Sequence, residues 1–579
     1  MTCERCSDPL FILSVLYPDQ DCVHLQNWLE QRLADFSRPQ PADAALDQRD
    51  AFLITYGDQF THPEHTPLRA LRVFAEKYIQ GSFTGLHVLP FYPYSSDDGF
   101  AVTNPYQVDP RLGTWEDIEQ LAERFKLACD LVLNHVSSRS PWFQGYLNGD
   151  PRYQEYFIEV APETDLSEVV RPRTNPLLTP FKSSSGTKWL WTTFSADQVD
   201  LNYGNPAVLQ ELIELMLRYV QRGARVLRLD AVAYLGKQLG TPCIHLPQAH
   251  LVVRLLRAIL DRAAPDVRLL TETNVSHEGN VSYFGNGYNE AHMVYNFALP
   301  PLVLHAFAAG QVFRLKQWAA ALQLPSTETL YFNFLASHDG IGLNPAGGIL
   351  SADEIDLLVS RTLQHGGRYS SKANPDGSSS PYELNISYFD ALSDPQDGEP
   401  MRCKVARFLS AHAILLAMAG LPGVYVHSLL GTQNWIQGVY QTGQNRAINR
   451  QKLTLAEVEQ ALADPQSRTA QVYQGLTRLL RARAASAAFH PYGAQLVLES
   501  GDAVFGLMRI APDGSRIALC LHNVTSGQQA VSLDLNQMGL PGGQWQDLIT
   551  GQRFILESQA HLALPGYAAL WLVPFPNNA

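Results

Sequence analysis

Charge is scarce in this chain of 579 residues: Asp, Glu, Lys and Arg make up 17%, and 43 cationic side chains face 56 acidic ones, for a net charge of −13. Phosphate backbones are held by clustered Lys and Arg, so this balance argues against a nucleic-acid partner. Any anionic small molecule would need a local cationic pocket. Long apolar runs are missing as well, since none approaches the roughly 18 residues that a membrane span requires, and no membrane partner is expected. The cysteines (Cys3, Cys6, Cys22, Cys129, Cys243, Cys403 and Cys520) are odd in number and scattered, unlike a secreted disulfide framework. A reducing cytoplasm fits them. No basic stretch precedes the short apolar patch near the N-terminus, so no signal peptide is expected. Cys3 and Cys6 have CxxC spacing but no second such pair or His pair to complete a zinc site, and no metal is expected. Repeats and low-complexity tracts are absent.

Hydrophobic residues make up 46% of the chain, and they are patterned. Short apolar runs alternate with longer amphipathic stretches, which is the signature of strands joined by helices. Eight runs qualify as strands: 51–58, 86–93, 129–135, 226–232, 268–273, 291–297, 330–339 and 423–431. Between the third and fourth, Val208, Leu209, Leu212, Leu215, Met216 and Tyr219 mark one helical face, with Gly223 as its stop. The expectation is an α/β fold, a (β/α)8 TIM barrel spanning 46–135 and 207–493. An irregular domain inserted after strand 3 takes 136–206, rich in Pro, Trp, Arg and Ser. A mobile loop is expected over 364–385. Residues 1–45 are expected as a helical extension. From 494 to 579 short strands punctuated by Ser-Gly-Asp, Pro-Asp-Gly and Ser-Gly turns predict a C-terminal antiparallel β domain.

Barrels of this kind build their sites at the carboxyl ends of the strands. Polar residues gather there in this sequence: Asp130 and His135 around strand 3, Arg228 and Asp230 at strand 4, Glu272 at strand 5, His338 and Asp339 at strand 7. Positions i and i+2 of a strand share a face, so Arg228 and Asp230 are neighbours. Taken alone, such a pair is most simply an internal ion pair. Three carboxylates converging on one mouth are harder to obtain from packing needs and predict a catalytic site. Arg228 is expected to lower the pKa of Asp230 by opposite charge, whereas Glu272, with no adjacent cation, suits an acid.

"DLVLNH", "LRLDAV", "TET" after an apolar run, and "LASHDG" resemble, in order, the four signature regions of the α-amylase family, retaining glycoside hydrolases and transglycosylases on a (β/α)8 barrel. The resemblance implies Asp230 as nucleophile, Glu272 as general acid/base and Asp339 as transition-state stabiliser. Arg228, His135 and His338 match the helpers around the sugar. Finer motifs ("PFYPYSSDDGFAV", "RPRTNPLLTPF", "GTPCIHL", "FLASHDGIGLNP", "GQNRAINR") resemble the sucrose phosphorylase-like branch. They imply inorganic phosphate as co-substrate, no cofactor, and α-glucose 1-phosphate as product. Asp97 and Arg446 match the pair closing a pocket for one glucosyl unit, and Tyr234 matches an acceptor-side aromatic. Arg171 or Arg173 matches the arginine of the phosphate-binding loop.

Within the branch the sequence is more similar to the glucosylglycerate phosphorylases, through the longer N-terminal preface, "HSLLG" and "SPYELN". Glu383 stands where sucrose enzymes usually carry Gln. An acidic acceptor wants a cation, for which Lys237, Arg171 and Arg173 are available, while Glu383 would oppose it unless it holds acceptor hydroxyls or one of those cations. Phosphorolysis of sucrose or glucosylglycerol, plain hydrolysis, and a sugar-binding barrel without catalysis are the rival readings.

Overall fold

The computed structural model describes residues 8–18, 22–38, 45–374 and 377–575; Cys3 and Cys6 lie outside them, as do parts of the N-terminal extension. Eight parallel strands close into a barrel: β1 (Phe52–Thr55), β2 (Gly85–Val88), β3 (Lys126–Val132), β4 (Ala224–Asp230), β5 (Arg268–Thr271), β6 (Met293–Tyr295), β7 (Leu330–Asn333) and β8 (Leu421–Tyr425). β1 pairs with both β2 and β8, which completes the ring and leaves no open edge. Each of the eight expected runs overlaps one of these strands. β1, β2, β5, β6, β7 and β8 are shorter than expected, because the ends of those runs turn away as loops, and Val426–Leu429 is a helical turn.

The helix Pro206–Gln221 shows how local sequence sets these elements. Asn205 caps it by accepting from the Ala207 amide, Pro206 fills the first turn, and Val208, Leu209, Leu212, Leu215, Met216 and Tyr219 are buried. Gly223, at φ 101°, ends it. Two helices, α1 (Pro9–Leu16) and α2 (Cys22–Ala34), precede the barrel; Tyr17 Oη donates to the Tyr203 carbonyl at 3.0 Å, and Arg32 pairs with Glu214.

The excursion after β3 is more regular than its composition suggested. It holds the helix Pro141–Asn148 and a hairpin of Leu178–Ser183 with Gly186–Trp191, and it is tied down where His135–Ser137 pairs antiparallel with Gln198–Asp200. Likewise 364–385 contains an antiparallel hairpin, Arg368–Ala373 with Ser379–Asn385, rather than only a loop, and Ile341–Gly342 adds a third strand to it. Its Ser-rich arms show no apolar alternation, so the sequence carried no strand signal. The C-terminal strands are antiparallel throughout. In Gln559–Leu564 every second residue is buried, the period-2 pattern of a sheet with one wet face. Among the described residues no helix is long and apolar enough to cross a membrane.

Candidate active site

Parallel register brings the chemistry together. Asp130 stands opposite Arg228 and Val132 opposite Asp230 across the β3–β4 pair. Across β4–β5, Thr271 stands opposite Leu229, and the Glu272 amide donates to the Leu229 carbonyl at 3.1 Å, so Glu272 leaves the barrel beside Asp230. Ala231, just after Asp230, has φ 52°, and its amide donates to Glu272 Oε2 at 3.1 Å. The ladder aligns both carboxyl groups on one rim.

Arg228 is the hub. Its Nη1 donates to Asp130 Oδ1 and, at 2.7 Å, to Asp230 Oδ1, while Nη2 lies 3.9 Å from Glu272 Oε2. Asp130 also meets His87 Nε2 at 2.7 Å. The Phe100 and Tyr295 rings flank the guanidinium at 5.6 Å. Two expectations are corrected here. Glu272 does have a neighbouring cation, the same Arg228. And Arg228 does not leave Asp230 with a low pKa: burial pushes that carboxyl up to about 6, against the opposing pull of Arg228 and with help from Asp130. Burial likewise pushes Glu272 up to about 7 against Arg228, with the Asp230 and Asp339 charges adding to the rise. Glu272 therefore keeps a proton more readily than Asp230.

Asp339 is different. Burial would raise its pKa, but the surrounding cations, Arg446 foremost, hold it well below the usual carboxylate range. Arg446 Nη1 pairs with Asp339, and its Nε and Nη2 grip both oxygens of Glu383 at 2.8 and 2.7 Å. Asp97 and Arg446 line the same cavity, yet no ion pair joins them; Asp97 accepts from Gln198 at 3.3 Å. His338 stacks on Phe100 at 4.7 Å, and burial pushes it down to about 3, so its ring is neutral. His135 Nε2 faces the Phe100 carbonyl at 3.1 Å, and burial lowers its pKa too.

The acceptor-side expectations divide. Arg173 lines the cavity, its guanidinium 5.5 Å from the Tyr382 ring, and no carboxylate among the described residues is within ion-pair reach of it. Arg171 instead folds back on its own loop, donating to the Thr174 and Asn175 carbonyls. Lys237 is not available to an acceptor: its ammonium is buried against Asp200 at 2.8 Å, Asn134 Oδ1 at 3.1 Å and the Tyr234 carbonyl. Tyr234 is buried and packs edge-on against Phe194, which itself lines the cavity. Glu383 is 1% exposed and pairs with Arg446 rather than with any of Lys237, Arg171 and Arg173.

Phe100, Phe194, Gln198, Asn274 and Tyr382 also line the cavity without having been singled out by sequence. Phe100, Phe194 and Asn274 sit on loops, where no periodicity aims a side chain, whereas Gln198 and Tyr382 lie on short strands whose sequence carried no strand signal. A cavity of about 1120 Å³ lies at the opposite end of the barrel, around Thr84, Lys126 and Gly223, and contains none of these carboxylates. Among the described residues no group of three or more His, Cys, Asp or Glu is arranged to hold a metal ion.

A closed (β/α)8 barrel that hangs one carboxyl kept protonated and one more readily ionised on a shared guanidinium has the parts for carboxylate-based glycosyl transfer. The family model described as "Alpha amylase, catalytic domain" matches residues 76–341. The chain is 50% identical over 534 residues to the glucosylglycerate phosphorylase of Allomeiothermus silvanus, covering 92% of this chain and 93% of that one. It is 47% identical to the glucosylglycerate phosphorylase of Escherichia coli, covering 88% and 91% of the two chains. The crystal structure of sucrose 6F-phosphate phosphorylase from Thermoanaerobacter thermosaccharolyticum superposes with a TM-score of 0.72 at 27% identity, over 84% of this chain and 96% of that one. The chain belongs to the α-amylase family.

Proposed function

We propose that the protein is a retaining glucoside phosphorylase that converts 2-O-α-glucosylglycerate and inorganic phosphate into α-glucose 1-phosphate and free glycerate, in the cytoplasm. One observation carries the reading: the cavity that holds Asp230 and Glu272 is also lined by Arg173, a cation that no carboxylate among the described residues pairs with. A hydrolase handling neutral water has no use for it. A phosphorylase must draw a phosphate anion past three carboxylates, and a planar fork of donors is suited to that. The likeness to chains named glucosylglycerate phosphorylase supports glycerate as the acceptor.

In the mechanism that follows, Asp230 attacks the anomeric carbon while Glu272 gives its proton to the departing glycerate oxygen, leaving a β-glucosyl ester on Asp230. Phosphate then attacks the same carbon from the vacated side, its oxygen forming the new bond as the ester to Asp230 breaks, with net retention. Being already anionic, phosphate needs little help from a base. Asp339, kept ionised by Arg446, faces the positive charge that develops on the ring. Asp97 and Arg446 bind the far hydroxyls of the glucosyl unit.

The test is synthesis run backwards: α-glucose 1-phosphate is incubated with D-glycerate, fructose or glycerol, and released phosphate is measured. Preferential release with glycerate is expected. Equal release with fructose would move the acceptor assignment, and glucose formation from the glucoside at one rate with and without phosphate would replace phosphorylase by hydrolase.

A further inference from the structure

Three consecutive residues at the mouth of the site, Asp97, Asp98 and Gly99, have φ of 54°, 46° and 112°. Only the last can adopt that conformation freely; L-residues other than Asn and Asp rarely enter it, and seldom in succession. A turn of this kind persists when its surroundings hold it. One arm is tied by Asp197, whose carboxylate accepts from the Ser95 and Ser96 hydroxyls at 2.5 Å. At the apex, Asp98 Oδ2 accepts from Arg450 Nη1 at 2.6 Å.

Arg450 is itself buried, and it reaches the loop after β7 as well. Its Nε donates to the His338 carbonyl at 2.7 Å, and its Nη2, buried and without a hydrogen-bond partner, faces Asp339 Oδ1 at 3.8 Å. Arg450 follows the short helical turn Asn445–Asn449, which also carries Arg446 onto Asp339, and Asn449 donates to the Ser337 carbonyl at 2.8 Å. One five-residue stretch therefore grips the loops after β2 and β7 at once.

We propose that Arg450 and Asp98 form a positioning clamp for the glucosyl subsite. The pair pins the left-handed turn that presents Asp97 to the loop that presents Asp339, so that both carboxylates keep a fixed spacing around one sugar ring. Neither member of the pair lines the cavity. The role of the clamp rests on the glucosyl-transfer reading above, but its geometry does not. Because it acts on the half of the site common to every acceptor, its loss should slow transfer to all of them alike.

Asp98→Asn, Arg450→Lys and the double variant test this. Asp98 has a side chain 41% exposed and Asn keeps an oxygen that can accept from Arg450, so Asp98→Asn should fold, with a small fall in melting temperature from the weaker hold on that buried cation. It is expected to lose roughly tenfold in kcat/KM for α-glucose 1-phosphate, a misplacement effect, by the same factor with each acceptor and with KM for phosphate unchanged. The double variant should lose no more than Arg450→Lys alone, the sign of a coupled pair. Wild-type kinetics in Asp98→Asn, or losses that multiply independently, would overturn the clamp. Amide hydrogen exchange supplies an arm independent of activity: Asp98→Asn should speed exchange in both 95–103 and 337–340, and unchanged exchange would also overturn it. If the wild-type protein fails to use α-glucose 1-phosphate, the proposed function falls while the exchange experiment still decides the clamp.

Discussion

The cations of the inner site and the cation of its rim live under different rules. Arg228, Lys237 and the partly buried Arg446 are each matched by carboxylates: Asp130 and Asp230, Asp200, and Asp339 with Glu383. Arg173 lies over an aromatic face with no acid among the described residues to answer it. A matched cation organises its partners and has little attraction left for an incoming anion. An unmatched one is poorly placed to organise anything, yet it is free to bind. On the function proposed above, the difference separates the half of the pocket assigned to glucose from the half assigned to phosphate and a charged acceptor.

Experiments can attack that division at several points. The largest effect is expected from Asp230→Asn, which should reduce turnover by about four orders of magnitude or more, whatever the acceptor, as removal of a nucleophile does; steady-state assays would show it, and residual activity near wild type would dissolve the inner half as defined here. Lys237→Met should strip the fully buried Asp200 of its countercharge and lower unfolding free energy by about 3–5 kcal/mol in urea titrations. If it instead changed only KM for glycerate, Lys237 would belong to the rim. Arg173→Ala should leave stability nearly unchanged and raise KM for phosphate by roughly 10- to 100-fold, the loss of a charge-assisted hydrogen bond.

The pH profile gives the mildest probe. Turnover needs Asp230 ionised, so activity should fall as pH drops through about 6, and it needs Glu272 protonated, so activity should fall again as pH rises through about 7. With α-glucosyl fluoride, whose leaving group needs no proton, Glu272→Gln should keep the acid limb and lose the alkaline one. An alkaline limb that survives in this variant would assign the proton elsewhere.

The barrel was legible because buried parallel strands are written as apolar runs of a length that few other elements produce. The carboxylates were legible because strand periodicity states which neighbours share a face, and Arg228 with Asp230 is the plainest case. Spacing could not decide between Arg171 and Arg173. They too are separated by two residues, but on an irregular loop, where that separation carries no direction. Lys237 was misplaced for a similar reason, since three residues beyond Tyr234 on a tight turn point inward as readily as outward. The direction of the Asp230 shift was misjudged because a sequence displays the nearby charge and hides the depth of burial that outweighs it. Glu383 looked like a liability for an acidic acceptor, and its fork on Arg446 removes the conflict.

Tyr382 and Glu383 are adjacent on one arm of the hairpin after β7, where the pairing steps from Ser370 with Glu383 to Ser371 with Pro381 and leaves Tyr382 as the extra residue of a bulge: its ring lies by Arg173, the Glu383 carboxylate by Arg446. Loss of that one extra residue would remove the bulge and displace the ring and the carboxylate together. Insertions or deletions there would therefore be purged, whereas substitutions of the aromatic alone could retune which leaving group is welcomed. Drift in acceptor choice among descendants of this enzyme should accordingly be recorded as point changes on a hairpin of constant length.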